Sequence, residues 1–186
     1  YEIGNPYESV PEVLQHYLKE YPGDDNSTEI QELLVDSFIT SGNFAGALDL
    51  LENNRGFASK VTYQKVAYYR GVELFLDADY TSALTHFEKS LKSREDQLFA
   101  ARAQYWKAES AYQLNRFEEA RKGYLQFLSN PGSPSTEEYA NVYYNLAYAA
   151  FKLKDYNKAI QYFKQVSSQD QSDERKYDAL VRMGDC

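Results

Sequence analysis

Residues 143–166 read YYNLAYAAFKLKDYNKAIQYFKQV, two amphipathic halves joined by a short polar turn at Lys154 and Asp155. In the first half Leu146, Ala147, Ala150 and Phe151 fall on one face of a helix, and in the second Tyr156, Ala159 and Phe163 do the same, as a period of about 3.6 residues requires. The small side chains of Ala147 and Ala159 leave room for two helices to approach closely, while Tyr156 and Phe163 fill the space beside them. The spacing therefore predicts a helical hairpin with one apolar face that needs a neighbour to cover it.

The neighbours are in the same chain. An aromatic, an Ala three residues later and a large apolar residue four beyond that recur as Phe117, Ala120, Tyr124; as Tyr80, Ala83, Phe87; as Phe44, Ala47, Leu51; and, with Val for Ala, as Tyr7, Val10, Leu14. The anchors Val10, Ala47, Ala83, Ala120 and Ala159 lie 37, 36, 37 and 39 residues apart, and twelve before each of the last four stand Val35, Gly71, Ala108 and Ala147, three of them small. The register divides the chain into a half repeat at 1–22, full repeats at about 28–55, 61–93, 97–129 and 136–168, and the start of another at 173–186.

This pattern resembles the tetratricopeptide repeat, W-x2-L-G-x2-Y followed by A-x3-F, with Tyr143 in the Trp place, Leu146 matching, Ala147 for the Gly, and Ala159 and Phe163 as the second half. The family period is about 34 residues, so these units carry a few extra residues. The resemblance implies an all-α, right-handed superhelical solenoid of antiparallel helix-turn-helix repeats, and a scaffold that binds protein. The Tyr-rich lengthened units and the phrase YWKAESAYQLNRFEEA are similar to bacterial envelope-associated repeat scaffolds, which implies a periplasmic or envelope-associated location.

The register also implies cut ends: residues 1–6 would finish a first helix, with the matching second helix at about 8–21 closed by Pro22, and Gly184 would occupy the small-residue place of a last first helix. The expectation is a fragment of a longer chain whose truncated ends would allow self-association. Thr28 with Gln31, Ser93 with Asp96 and Ser135 with Glu138 read as helix starts. The longest linker, SNPGSPS at 129–135, accounts for the widest spacing, as a longer turn rather than a hinge.

With 186 residues, 43% hydrophobic and 26% charged, the composition is that of an ordinary globular chain, and no stretch approaches the roughly 18 apolar residues of a membrane span. Eighteen Tyr and ten Phe against one Trp point to aromatic packing between helices. The single Cys186 excludes a disulfide within the chain. The net charge of −8 resides entirely in residues 1–60, which hold 11 acidic and 3 basic side chains against 17 of each in the rest. That sign argues against nucleic acid, whose binding needs concentrated Lys and Arg.

No catalytic, cofactor or metal site is expected. His16 and His86 stand on second helices of different units without ligand neighbours, and Glu118-Glu119 and Glu137-Glu138 read as helix-opening acids favoured by the macrodipole. Lys107 and Glu109 flank Ala108 on different sides. Some members of this family clamp a carboxylate terminus with Lys and Asn side chains that project from successive first helices, at places that fall fifteen and eleven residues before the anchors. Here those places hold Glu32, Tyr68, Tyr105 and Tyr144, then Asp36, Val72, Glu109 and Tyr148, so no such clamp is expected.

In superhelices of this family the first helices line the concave face. The resemblance thus places Tyr68, Tyr105 and Tyr144 in one row, with Tyr112, Tyr148 and Phe151 beside them and Glu29, Glu32 and Asp36 at the N-terminal end. The expected partner is a peptide or protein with apolar anchors and a Lys or Arg towards the acidic end. Two alternatives stand beside it: the tyrosines pack between helices, or the segment stacks within a larger assembly or supports an enzymatic domain elsewhere in the full chain.

Overall fold

A computed structural model describes residues 9–54, 59–168 and 173–186. Within them run α1 (Val10–Glu20), α2 (Ser27–Thr40), α3 (Phe44–Asn53), α4 (Lys60–Leu76), α5 (Tyr80–Lys92), α6 (Gln97–Gln113), α7 (Phe117–Ser129), α8 (Val142–Lys152), α9 (Tyr156–Ser168) and α10 (Asp173–Asp185), with short 3₁₀ turns at Ser133–Ser135 and Glu137–Asn141 before α8. Each helix packs on the next, and α4 also touches α6, as in a solenoid of helical hairpins. No helix of the described residues is long and apolar enough to cross a membrane.

One turn geometry makes all four hairpins, α2–α3, α4–α5, α6–α7 and α8–α9. Five residues before each Ala anchor the backbone is left-handed, at Gly42 (φ 73°), Ala78 (61°), Asn115 (59°) and Lys154 (60°). The amides of Asn43, Asp79, Arg116 and Asp155 then donate back to the carbonyls of Phe38, Leu74, Ala111 and Ala150, each at 2.9 Å, which closes the first helix in a Schellman motif. Asn43, Asp79 and Asp155 next cap the second helix, accepting from the amides of Gly46, Ser82 and Lys158.

The anchors Ala47, Ala83, Ala120 and Ala159 are all 0% exposed. Around them the core is a series of clusters, each shared by adjacent hairpins: Leu34, Phe38, Leu48 and Val66 first, then Tyr68, Leu74, Phe87 and Ala103. Next come Tyr105, Tyr124, Phe127 and Leu146, and last Ala147, Phe163, Val166 and Ala179. Close approach is strictest at two glycines. A Cβ on Gly71 would stand 2.7 Å from the Phe87 ring, and one on Gly123 would stand 2.7 Å from the Cβ of Ala108.

Several local expectations are corrected. Val10, the first anchor of the register, differs from the four alanines in being 64% exposed, at the start of α1, and Tyr7 lies outside the described residues. α1 instead opens on Ser9, whose amide donates to the Glu12 carboxylate at 2.9 Å. α2 starts two residues earlier than the Thr28–Gln31 pair implies, after Asn26. α6 is capped by Asp96 itself, which accepts from Leu98 and Phe99, rather than by Ser93.

The largest correction concerns residues 135–141, just after the longer turn expected at 129–135. The linker is an ordered turn: Ser133 is buried and its hydroxyl donates to the carbonyls of Phe127 and Asn130, while a Cβ on Gly132 would meet the carbonyl of Gln97 at 2.6 Å. α8 begins at Val142 rather than at the Ser135–Glu138 signal. Glu138, expected as a solvated helix-opening acid, is 5% exposed and accepts from Arg102 Nε and Trp106 Nε1, both at 2.9 Å. Burial of this acid is sustained because the neighbouring unit supplies a cation and an indole N–H in place of water.

Candidate functional site

The first helices α4, α6 and α8 carry the tyrosine row, and their surroundings divide it. Tyr68 is 2% exposed, its ring packed edge-on to Phe99 of the next unit at 5.2 Å, with the Arg102 guanidinium 5.1 Å from its centroid. Tyr105 is 4% exposed, edge-on to Trp106 and Phe127, and its hydroxyl accepts from Asn145 Nδ2 at 2.7 Å. Burial pushes both phenols well above their ordinary pKa. These two rings are packing, as large aromatics between stacked helices commonly are.

Tyr144 and Tyr148 stand differently. Both are half-buried, with ring centroids 4.9 Å apart, and their hydroxyls donate to Asp178 Oδ2 on α10 at 2.9 and 2.5 Å. The Tyr148 hydroxyl also accepts from Arg182 Nε at 3.1 Å. Tyr112 is half-buried against Phe117, and Phe151 against Tyr156. Glu29, Glu32 and Asp36 are exposed on α2, spaced to share one face of it.

Tyr112, Tyr144 and Tyr148 meet at a cavity of about 240 Å³ between α6 and α8, whose other lining residues are Glu109, Gln113, Tyr124 and Asn145. Glu109 Oε1 accepts from the Tyr124 hydroxyl at 2.7 Å and from Asn145 Nδ2. Because a carboxylate only accepts, this contact fixes the Asn145 amide with its nitrogen on Glu109 and leaves its Oδ1 free of a protein donor among the described residues. Burial raises the Glu109 carboxyl above its ordinary range, and the donors from Tyr124, Asn145 and Tyr105 offset part of that.

Glu109 and Asn145 were not in the expected row. A signal existed: Glu109 shares the offset of Tyr148 and Asp36, eleven residues before the anchor, and Asn145 adjoins Tyr144. What the spacing does not reveal is that two side chains from successive first helices converge on one point. The cavity's titratable groups are the Glu109 carboxyl and four phenols, of which burial raises those of Tyr112, Tyr124 and Tyr144, so the lining offers hydrogen-bonding groups and aromatic rings. His86 makes a local contact instead, its Nδ1 2.8 Å from the carbonyl of Ser82.

A family profile described as "Tetratricopeptide repeat" matches residues 140–173, and a second with the same description matches 71–134, together just over half of the chain. Among curated proteins none matches this sequence. Among solved structures, the apo form of RapI is similar at a TM-score of 0.63 and 15% identity, over 94% of this chain and 54% of that one. BtubC (BKLC) from P. vanneervenii is similar at 0.60 and 17%, over 95% of this chain and 78% of that one, and MamA at 0.54 and 15%, over 95% and 92%. The chain thus spans about half the length of RapI, and at these identities the likeness establishes the fold.

Proposed function

We propose, from the premise that this chain belongs to the tetratricopeptide repeat family, that its protein-interaction scaffold engages an extended or helical peptide along the face formed by α4, α6 and α8. The observation that carries the reading is the cavity between α6 and α8, where half-buried Tyr112, Tyr144 and Tyr148 line a polar floor of Glu109, Gln113 and Asn145. Tyr offers large contact area at low rotamer cost, which suits recognition. Towards the N-terminal end, exposed Glu29, Glu32 and Asp36 on α2 would favour a basic residue of the same partner. The role is non-catalytic, in keeping with the family.

The test is a selection from a displayed random-peptide library, repeated with Tyr112→Ala and Tyr148→Ala. Neither ring lies in the fully buried core, so each variant should keep its melting temperature to within a few degrees. Retained peptides should lose at least about tenfold in affinity, the loss of one well-placed aromatic contact. Peptides that bind the variants as tightly as the parent, or a parent that retains none, would overturn the reading.

A further inference from the structure

We propose that the cavity between α6 and α8 is a pocket for an arginine side chain, with Glu109 as the charge partner and the tyrosines as its walls. This rests on the reading of that face as peptide-binding and names what one position of the peptide must be. Three features converge on it. The close hydrogen bonds to Glu109, from Tyr124 and Asn145, both fall on Oε1, and no Lys or Arg pairs with the carboxylate, among the described residues. Three cations of α6 and α10 are already engaged: Arg102 with Glu138, Lys107 with Glu88, and Arg182 with Asp178 and Asp185. A carboxylate kept without a cation in a ready-made cavity is expensive for the fold alone.

The chemistry of the remaining wall selects a guanidinium. Asn145 Oδ1, fixed by the contact of its amide nitrogen with Glu109, is a second acceptor beside that carboxylate, and a planar fork of donors can reach both, where a single ammonium is a point charge. Tyr112 and Tyr148 supply ring faces for stacking and cation–π attraction. The guanidinium is also the more weakly hydrated cation, so it enters a half-buried site more readily. The space of about 240 Å³ admits one such side chain.

The probe is N-acetyl-arginine N-methylamide, titrated into the protein and followed by NMR, beside the lysine and the neutral, near-isosteric citrulline analogues. The arginine probe should give saturable shifts at Glu109, Tyr112, Asn145 and Tyr148. The citrulline and lysine probes should bind at least about tenfold more weakly, and Glu109→Gln, checked as folded by circular dichroism, should reduce arginine binding at least tenfold. Equal binding of arginine and citrulline, unchanged binding to Glu109→Gln, or shifts absent from these residues would overturn the pocket. Lysine binding as tightly as arginine would overturn its guanidinium selectivity. Because the probe needs no peptide partner, these results are independent of the library selection: a library retained without arginine at the pocket removes this proposal and leaves the scaffold, whereas a selective arginine site with no retained peptide removes the scaffold's peptide groove.

Discussion

Burial raises the Glu109 carboxyl above the ordinary range, with three polar neighbours only partly offsetting it. Between the ordinary carboxylate value and the raised one the folded chain binds more protons than the unfolded chain. The stability this group contributes is therefore fully present below that window and is lost as pH rises through it. A neutral Gln at the same place keeps an acceptor for Tyr124 without the desolvated charge. Glu109→Gln should accordingly melt a few degrees higher than the parent at neutral pH, with the gain vanishing below the ordinary carboxylate range. Calorimetry at the two pH values checks this, and a lower melting temperature at neutral pH would show Glu109 to be structural. Such an acid was hard to identify from spacing alone. Tyr68, Tyr105 and Tyr144 share one offset, yet Phe99 closes over Tyr68 and Phe127 over Tyr105, while Tyr144 meets the polar Asp178. Which ring is core and which is surface depends on a side chain one repeat away.

At the level of elements, the hairpin turns and the close approaches set the geometry. Ala78 holds a left-handed φ of 61° where Gly42 occupies the equivalent place in the preceding unit, and a Cβ there costs about 1 kcal/mol. Ala78→Gly should therefore raise the unfolding free energy by up to about 1 kcal/mol in urea titration, less the entropy Gly gains in the unfolded chain; a clear loss would mean that the Schellman turn is not what orders this hairpin. Gly123→Ala is expected to go the other way. Its new Cβ would stand 2.7 Å from the Cβ and 3.3 Å from the Cα of Ala108, atoms that cannot swing aside, so a loss of about 1–3 kcal/mol is expected despite Ala's better helix propensity. Combining it with Ala108→Gly should recover most of that loss, and a double variant no better than the single would place the clash elsewhere. The anchors and small-residue places were legible because each repeat states them again. The caps were less so, since Ser93, Asp96, Ser135 and Glu138 are all acceptable starts in isolation and only the packing of Glu138 against Arg102 and Trp106 decides.

For the whole molecule, stability is a sum over hairpins and the contacts between them, because no unit buries its apolar face alone. The cluster around Ala120 joins α5, α6, α7 and α8, so it couples three hairpins, and on the same α6–α8 junction sits the cavity proposed to meet the partner. Scaffold and site therefore depend on one set of close contacts. Urea unfolding of Ala120→Arg tests that dependence most directly, since Ala120 is 0% exposed and has no room for a long charged side chain. The expected result is a loss of several kcal/mol, on the order of overpacking together with a buried unpaired charge. An unfolding midpoint equal to the parent's would contradict the repeat register and, with it, the site built upon it.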